Sequence, residues 1–451
     1  MILEKILSEG LAHRSYLIGS DSQVAIIDPR RDVDIYLDLI QERNLLLSYI
    51  FETHRNEDYL VGSLDLARMT GAEICHGSQG GFAYGRGVKE GDRFPIGSLE
   101  IEVKETPGHT KESISLVVRD RSISDDALLI FTGDALFAGD VGRTDFYPDQ
   151  MEEMAGALYD SIWNKILILG DWVAVFPAHG EGSACGEAIS DLEITTTGYE
   201  RKNNPSLQMN REAFVRYKVR EHHYYPPYFH RMEALNNHGA PPLPQIPVLA
   251  PLSVSEVRTF LQNGGQIVDI RGPPSFGGGY IEGSVSIWRE GIPYFIGWIL
   301  DDEHPIILID DFNLSFEQVT RHFIREGYDN VVGYLQGGFA TWSKAGEETG
   351  VIPQWTSQML HGRIGEDLFL LDVRDIMNRK KIGYISNARH IYVGELQGNL
   401  GDLPQDQQIV TYCDAGFKGN IAASILRKNG YQKVANLAGG IAGWKSRGFP
   451  L

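Results

Sequence analysis

The second half of the chain repeats itself, and this repeat constrains the fold more tightly than any other feature. Glu326-Gly327-Tyr328-Asp329-Asn330-Val331 recurs as Asn429-Gly430-Tyr431-Gln432-Lys433-Val434. Leu335-Gln336-Gly337-Gly338-Phe339-Ala340-Thr341-Trp342 recurs as Leu437-Ala438-Gly439-Gly440-Ile441-Ala442-Gly443-Trp444, and upstream Ile267-Val268-Asp269-Ile270-Arg271 recurs as Leu370-Leu371-Asp372-Val373-Arg374. Self-similarity of this kind marks a duplicated structural unit. Each copy alternates short apolar runs with helical stretches, which predicts α/β units on a parallel sheet.

The repeats leave about half of the 451 residues to another core, and two to four domains are expected for this length. A net charge of −19 argues against a nucleic-acid or anionic-membrane partner, since phosphate binding needs a basic footprint. The apolar run Gly291 to Leu300 is too short to span a bilayer, and Met1 to Gly10 lacks the apolar core of a signal peptide. Cys75, Cys185 and Cys413 are too few and too scattered for a disulfide framework. A cytoplasmic protein, a homo-oligomer, is expected.

In the first segment, Leu45 to Ile50 reads as a buried strand that delivers Thr53-His54-Arg55-Asn56-Glu57-Asp58-Tyr59 to a loop. The strand Leu99 to Val103 ends in Thr106-Pro107-Gly108-His109, Ala127 to Phe131 in Thr132-Gly133-Asp134, and Trp172 to Phe176 in Pro177-Ala178-His179-Gly180. Four strands thus finish in loops carrying His or Asp, and loops at one edge of a rigid scaffold are where sites are built. A lone His at such a place is usually structural; four together are harder to read as accident. The tract His222-His223-Tyr224-Tyr225-Pro226-Pro227-Tyr228-Phe229-His230 reads as rings capping this core, because prolines interrupt any regular ligand spacing. The Pro-rich stretch Asn236 to Pro244 reads as a linker.

His54, His109, Asp134 and His179, in that order and with those neighbours, resemble the metallo-β-lactamase superfamily over roughly the first 200 residues. Gly133-Asp134-Ala135-Leu136-Phe137 followed by Gly142-Arg143-Thr144-Asp145-Phe146 narrows the resemblance to its glyoxalase II and persulfide dioxygenase branch. The T-H-x-H-x-D-H signature has Asn56 and Tyr59 in place of two imidazoles, which counts against a two-metal hydrolase. His54, His109 and Asp134 remain. Two histidines and a carboxylate are the facial triad of non-haem Fe(II) oxygenases, and the resemblance implies one Fe(II) per chain on these three. Zinc on the same trio and an empty, degenerate site stay open. Asp58 and His179 are candidates to orient ligands or bound water, with His179 also a candidate ligand. Tyr59 is a candidate phenol donor at the open face, or a packing residue. Arg143 is a candidate to bind a substrate carboxylate, or a salt-bridge partner. Cys185 reads as a packed small residue in a Gly-rich loop.

The repeats are similar to rhodanese domains, with the D-x-R strand end and the G-G-x-x-x-W helix present in both. In the last copy, Ile409-Val410-Thr411-Tyr412 leads into Cys413-Asp414-Ala415-Gly416-Phe417-Lys418-Gly419 and a helix expected from Asn420 to Lys428. A cysteine at a strand end beside a helix N-terminus is expected to have a lowered pKa, and its thiolate can hold sulfane sulfur as a persulfide. The loop residues Asp414, Ala415, Gly416, Phe417 and Gly419 are expected to cradle the substrate, with Lys418 as the loop's cation. Asp310 aligns with Cys413 and cannot carry sulfur, so the middle copy is expected to be silent.

The expected architecture is an αββα metallo-β-lactamase sandwich over residues 1–245, an inactive rhodanese-like domain over 246–352 and an active one over 353–451. The family pairing implies oxidation of a low-molecular-weight persulfide with O₂ to sulfite at the iron, and sulfur transfer through Cys413 among persulfide, thiol, sulfite and thiosulfate. The alternatives are a glyoxalase II-like thioester hydrolase, and a metal-free scaffold attached to a sulfurtransferase.

Overall fold

The computed structural model describes residues 1–183, 185–186, 188–313 and 316–451. The chain forms two compact units, Met1–Ile246 with Ile324–Gly327, and Pro247–Phe323 with Tyr328–Leu451.

The first unit is an αββα sandwich. One six-stranded sheet runs Ile2–Ser8, His13–Ser20, Gln23–Ile27, Leu46–Glu52, Glu73–Gly77, Arg86–Val88. The other runs Thr195–Thr196, Ala174–Pro177, Leu129–Gly133, Ile114–Asp120, Leu99–Glu105, Arg93–Ile96. Alternate residues of a strand face opposite sides, so Tyr16, Ile18, Phe51, Val103, Leu116 and Phe131 meet between the sheets. Leu17, Ile26 and Ile50 turn outward under the helices Asp34–Glu42 and Ser63–Thr70. Ile130 and Val175 do the same under Met151–Ser161. Each such side chain, fully buried, contributes about 1.5–3 kcal/mol.

The stretch expected to open the linker instead completes a helix, Phe229–His238. Its Asn236 donates to the carbonyls of Asn56 (2.7 Å) and Tyr59 (2.8 Å) and accepts from Val61 N (3.1 Å), pinning the loop that carries His54.

In the second unit, both repeats form five-stranded parallel sheets. The orders are Ala250–Leu252, Val331–Leu335, Ile306–Ile309, Gln266–Asp269, Val285–Ser286 and Gln354–Trp355, Val434–Leu437, Gln408–Tyr412, Leu368–Asp372, Arg389–His390. In each, the D-x-R arginine folds back bidentately onto its aspartate: Arg271 to Asp269 (2.8 and 2.6 Å) and Arg374 to Asp372 (2.9 and 2.6 Å). One apolar core runs through both repeats, joining Val285, Ile287 and Ile296 to Val373, Leu396, Ile421 and Ala422. Asn420 donates to Ser286 Oγ at 2.8 Å across the seam. Among the described residues, no helix is long and apolar enough to cross a membrane.

Candidate metal centre and sulfur-carrying loop

His54 leaves the strand Leu46–Glu52 on a short relay. Thr53 donates its backbone N–H and its hydroxyl to Asp28, at 2.7 and 2.8 Å. With its one hydroxyl proton committed there, Thr53 Oγ1 accepts from His54 Nδ1 at 2.9 Å. The His54 proton therefore sits on Nδ1, and Nε2 presents a lone pair. His109 reaches the same state by another route: its Nδ1 lies 3.0 Å from the Arg143 carbonyl, which can only accept. Both Nε2 atoms are buried without a hydrogen-bond partner. They face the same Asp134 Oδ2, at 3.7 Å from His54 and 3.5 Å from His109. Asp134 follows the strand Leu129–Gly133, where Gly133 turns at φ +53°; a Cβ there would come within 2.6 Å of Thr53 Oγ1.

His179, a candidate both to orient a ligand and to bind metal itself, is clamped between two carboxylates. Its Nδ1 lies 2.8 Å from Asp134 Oδ1 and its Nε2 3.0 Å from Asp58 Oδ2. Burial pulls its pKa down, but Asp134 and Asp58 outweigh that and hold it well above the usual imidazole value. Asp58 thus orients His179. Burial alone would raise the pKa of Asp134, yet His179, His54 and His109 drive it far below the usual carboxylate range.

Sequence reasoning missed Glu57 here, while Cys185 packs beside Phe137 and Ile189 as expected. Glu57 is buried with Oε1 3.6 Å from His109 Nε2, and the Cys185 thiol donates to that same oxygen at 3.3 Å. Donor atoms of His54, Glu57 and His109 lie within 4.8 Å of one another, as do those of Asp58, His179 and Cys185, and those of His109, Asp134 and Cys185. No periodicity marks which residue of a loop turns inward, so position 57, a spacer in the signature, carried no signal. Buried imidazole lone pairs aimed at carboxylate oxygens repel one another unless a cation or proton lies between them. The donor set fits a divalent metal.

Tyr59 is not at this face. Its ring packs on His13 (centroids 4.0 Å) and its hydroxyl lies 3.5 Å from the Asp28 carbonyl, so it has the packing role. The Arg143 fork is occupied by Asp145 at 2.7 and 2.8 Å and fully buried, which leaves its bidentate edge engaged within the fold. Phe146 stands edge-on to His109 at 5.1 Å and is covered by Tyr225 and Phe229, so the aromatic tail caps the centre.

In the second unit Cys413 follows the strand Gln408–Tyr412, and the helix Phe417–Lys428 starts three residues earlier than its sequence pattern suggests. Gly416 N donates to Cys413 Sγ at 3.1 Å. The lowered pKa expected for this thiol is not found. Burial pushes it up, against the pull of the Gly419 amide, Lys418 and the amides of Ala415 and Gly416. Lys418 is paired with Asp414 at 2.8 Å and lies 3.9 Å from Asp375. The closing helix steadies the loop through Ile441 N to Cys413 O (2.8 Å) and Ala442 N to Asp414 O (3.0 Å).

A cavity of about 310 Å³ opens on Cys413, lined by Asp414, Ala415, Phe417 and Lys418 and, from the middle repeat, Trp288, Tyr294 and Phe295. This aromatic wall was invisible in the sequence, because it belongs to the copy without the cysteine. At the corresponding place in that copy, Asp310 pairs with Arg289 at 2.8 Å.

Residues 9–179 match the profile of the metallo-beta-lactamase superfamily, and residues 253–345 and 353–447 each match the rhodanese-like domain. The mitochondrial persulfide dioxygenase ETHE1 of Bos taurus is 30% identical over 210 residues, 45% of this chain and 74% of the relative. Hydroxyacylglutathione hydrolase GloC of Haemophilus influenzae is 26% identical over 215 residues, 43% of this chain and 91% of the relative. Among solved structures, a metallo-beta-lactamase from Staphylococcus aureus subsp. aureus COL superposes with TM-score 0.67 at 28% identity, covering 74% of this chain and 98% of that one. Fold and site define a metallo-β-lactamase-type unit with a candidate metal site, joined to a tandem rhodanese unit. The chain belongs to the metallo-beta-lactamase superfamily, in a fusion with two rhodanese-like domains and with persulfide dioxygenases among its homologues.

Proposed function

We propose that this sulfur-metabolism enzyme oxidises a low-molecular-weight persulfide with O₂ at one Fe(II), and that Cys413 carries sulfane sulfur to or from the products. The observation that carries the reading is the pair of orphaned Nε2 lone pairs of His54 and His109 converging on Asp134. The persulfide dioxygenase homologues support the chemistry. The balanced reaction is RSSH + O₂ + H₂O → RSH + SO₃²⁻ + 2H⁺. Iron held by His54, His109 and Asp134 would supply the activation of O₂. The chain's own residues orient those ligands: Asp28 through Thr53 for His54, the Arg143 carbonyl for His109, and His179 for Asp134. Phe146, Tyr225 and Phe229 keep bulk water from the centre.

At Cys413, transfer forms a sulfur–sulfur bond on Sγ as the donor's own sulfur–sulfur bond breaks, and the thiol proton is released. The amides of Ala415, Gly416 and Gly419 face the sulfur that carries the developing charge. With Lys418 neutralised by Asp414 and the cavity walled by Trp288, Tyr294 and Phe295, the site suits a donor or acceptor with an apolar body better than a small dianion. The middle repeat, 246–352, acts as this wall and carries no sulfur itself.

A two-metal thioester hydrolase is the second reading, favoured by the donor group Asp58, His179 and Cys185. Against it, His179 Nδ1 is hydrogen-bonded to Asp134 at 2.8 Å and Nε2 lies 3.0 Å from Asp58 Oδ2, which holds the ring between two carboxylates. Elemental analysis of protein purified without oxygen separates the readings. One iron per chain with persulfide-dependent O₂ uptake supports the dioxygenase, two metals with thioester hydrolysis the hydrolase, and no metal after reconstitution the scaffold. Sulfur transfer surviving in Cys413→Ser would sink the sulfurtransferase part.

A further inference from the structure

We infer that Glu57 is itself a metal ligand, standing in for the imidazole that the signature loses at Asn56, so that the centre is built from two histidines and two carboxylates. The inference rests on the metal-centre reading above and extends it to a residue whose position in the signature is a spacer.

Three observations carry it. Asn56 brings no imidazole to the centre: its amide nitrogen donates to the His54 carbonyl at 3.3 Å, its backbone carbonyl accepts from Asn236 at 2.7 Å, and its side-chain oxygen is buried without a hydrogen-bond partner. The next residue does reach. Glu57 is 1% exposed, and its Oε1 stands 3.6 Å from the His109 Nε2 that has no hydrogen-bond partner. The second carboxylate, Asp134 Oδ2, lies 3.5 Å from that same nitrogen. With His109 Nδ1 committed to the Arg143 carbonyl, Nε2 is the nitrogen that faces two carboxylate oxygens in a buried site, and it offers them a lone pair whenever the ring is neutral. Burying two carboxylates beside an imidazole nitrogen is costly unless a proton or a metal cation is shared among them, and a metal satisfies all three donors at once.

The chemical consequence is a harder, charge-balanced site. Two carboxylates cancel the charge of a dication and shift preference toward Fe(II) or Mn(II), away from soft, thiolate-seeking ions. The Cys185 thiol then serves as hydrogen-bond donor to Glu57, and metal binding by Cys185 is not required.

The test uses the full chain, loaded without oxygen. Fe(II) affinity is measured by chelator competition for wild type, Glu57→Gln and Cys185→Ala, and the Mn(II)-loaded proteins are compared by electron paramagnetic resonance. Glu57→Gln should weaken binding at least tenfold and change the Mn(II) spectrum, while Cys185→Ala stays within a few-fold of wild type. Iron-edge X-ray absorption of the wild type, which does not depend on any variant folding, should show nitrogen and oxygen neighbours without sulfur. Wild-type affinity in Glu57→Gln, an equal loss in Cys185→Ala, or a sulfur neighbour would each overturn the inference. A wild type that binds no metal would remove the centre and the inference together. Iron bound tightly through Glu57 without O₂ uptake would sink the dioxygenase reading alone.

Discussion

Thr53→Val tests the relay that sets the His54 tautomer. Valine matches threonine in shape but removes one hydroxyl that makes two buried hydrogen bonds, from His54 Nδ1 at 2.9 Å and to Asp28 Oδ2 at 2.8 Å. Each buried polar group left without a partner costs about 1–3 kcal/mol, so the variant should lose about 2–6 kcal/mol of stability. That is a large share of the typical ~5–15 kcal/mol holding a domain folded. The backbone bond from Thr53 N to Asp28 remains. The loss should also depend on pH. Burial raises the Asp28 pKa from 3.8 to about 6, and the Thr53 bonds are among the forces that hold it down. Because the folded value lies above the unfolded one, the folded state favours the protonated acid, and stability falls as pH rises through about 6. The valine variant removes a donor to the ionised form, so its penalty should be larger at pH 8 than at pH 5. A His54 free to move its proton to Nε2 should also bind metal about 10–100-fold more weakly. Urea unfolding of metal-free protein at both pH values, with Thr53→Ser as control and chelator competition for the metal, reads all three effects. If valine and serine variants match in stability and in metal affinity, the relay is not what orients His54.

Glu52 is the clearest pH probe in the first unit. Burial pushes its pKa from 4.5 up to about 8, against the hydrogen bonds donated by the Tyr84 hydroxyl. The folded state keeps a proton that the unfolded chain releases, so about 5 kcal/mol of stability present below pH 4.5 should be lost as pH rises through about 8; Glu52→Gln should flatten that slope in unfolding experiments. Gly440 sits at φ +52°, where a Cβ would come within 2.3 Å of the Cys413 carbonyl oxygen. Gly440→Ala should displace the loop and cut sulfur transfer about 100-fold without changing metal content. Gly448→Ala, at φ +71° in open space, should cost only about 1–2 kcal/mol of backbone strain. Trp288→Ala opens the aromatic wall; KM for organic persulfide donors should rise while that for thiosulfate changes little, and equal effects on both would show that the wall does not select.

Much of this molecule was legible in the order of its residues. The repeated D-x-R and G-G-x-x-x-W segments carry their meaning locally: a guanidinium two residues from an aspartate folds back onto it, and paired glycines admit a left-handed turn where a carbonyl passes close. Strands ending at His54, His109, Asp134 and His179 followed from apolar periodicity, which reports burial on a rigid sheet. The helix Phe229–His238 was missed because prolines and aromatics before it, and Asn-Asn-His at its end, read as turn and linker chemistry. Its formation rests on packing Phe229 and Met232 into the first unit and on Asn236 bonding the Asn56–Val61 loop.

What tertiary structure decided lies in the loops and in the seam between the repeats. Whether Asn56, Glu57 or Tyr59 turns toward the centre depends on hydrogen bonds from residues far along the chain, and no local pattern encodes them. The direction of the Cys413 pKa shift depends on how deeply the loop is buried, because amide dipoles favour the thiolate while exclusion of water opposes it. The aromatic wall comes from a repeat more than 100 residues away. Which units form and which strand ends carry reactive groups can be read along the chain, since both follow from local geometry and burial. Only the folded chain decided which groups face one another and in what charge state, because that is a matter of distance and water exclusion between residues remote in sequence.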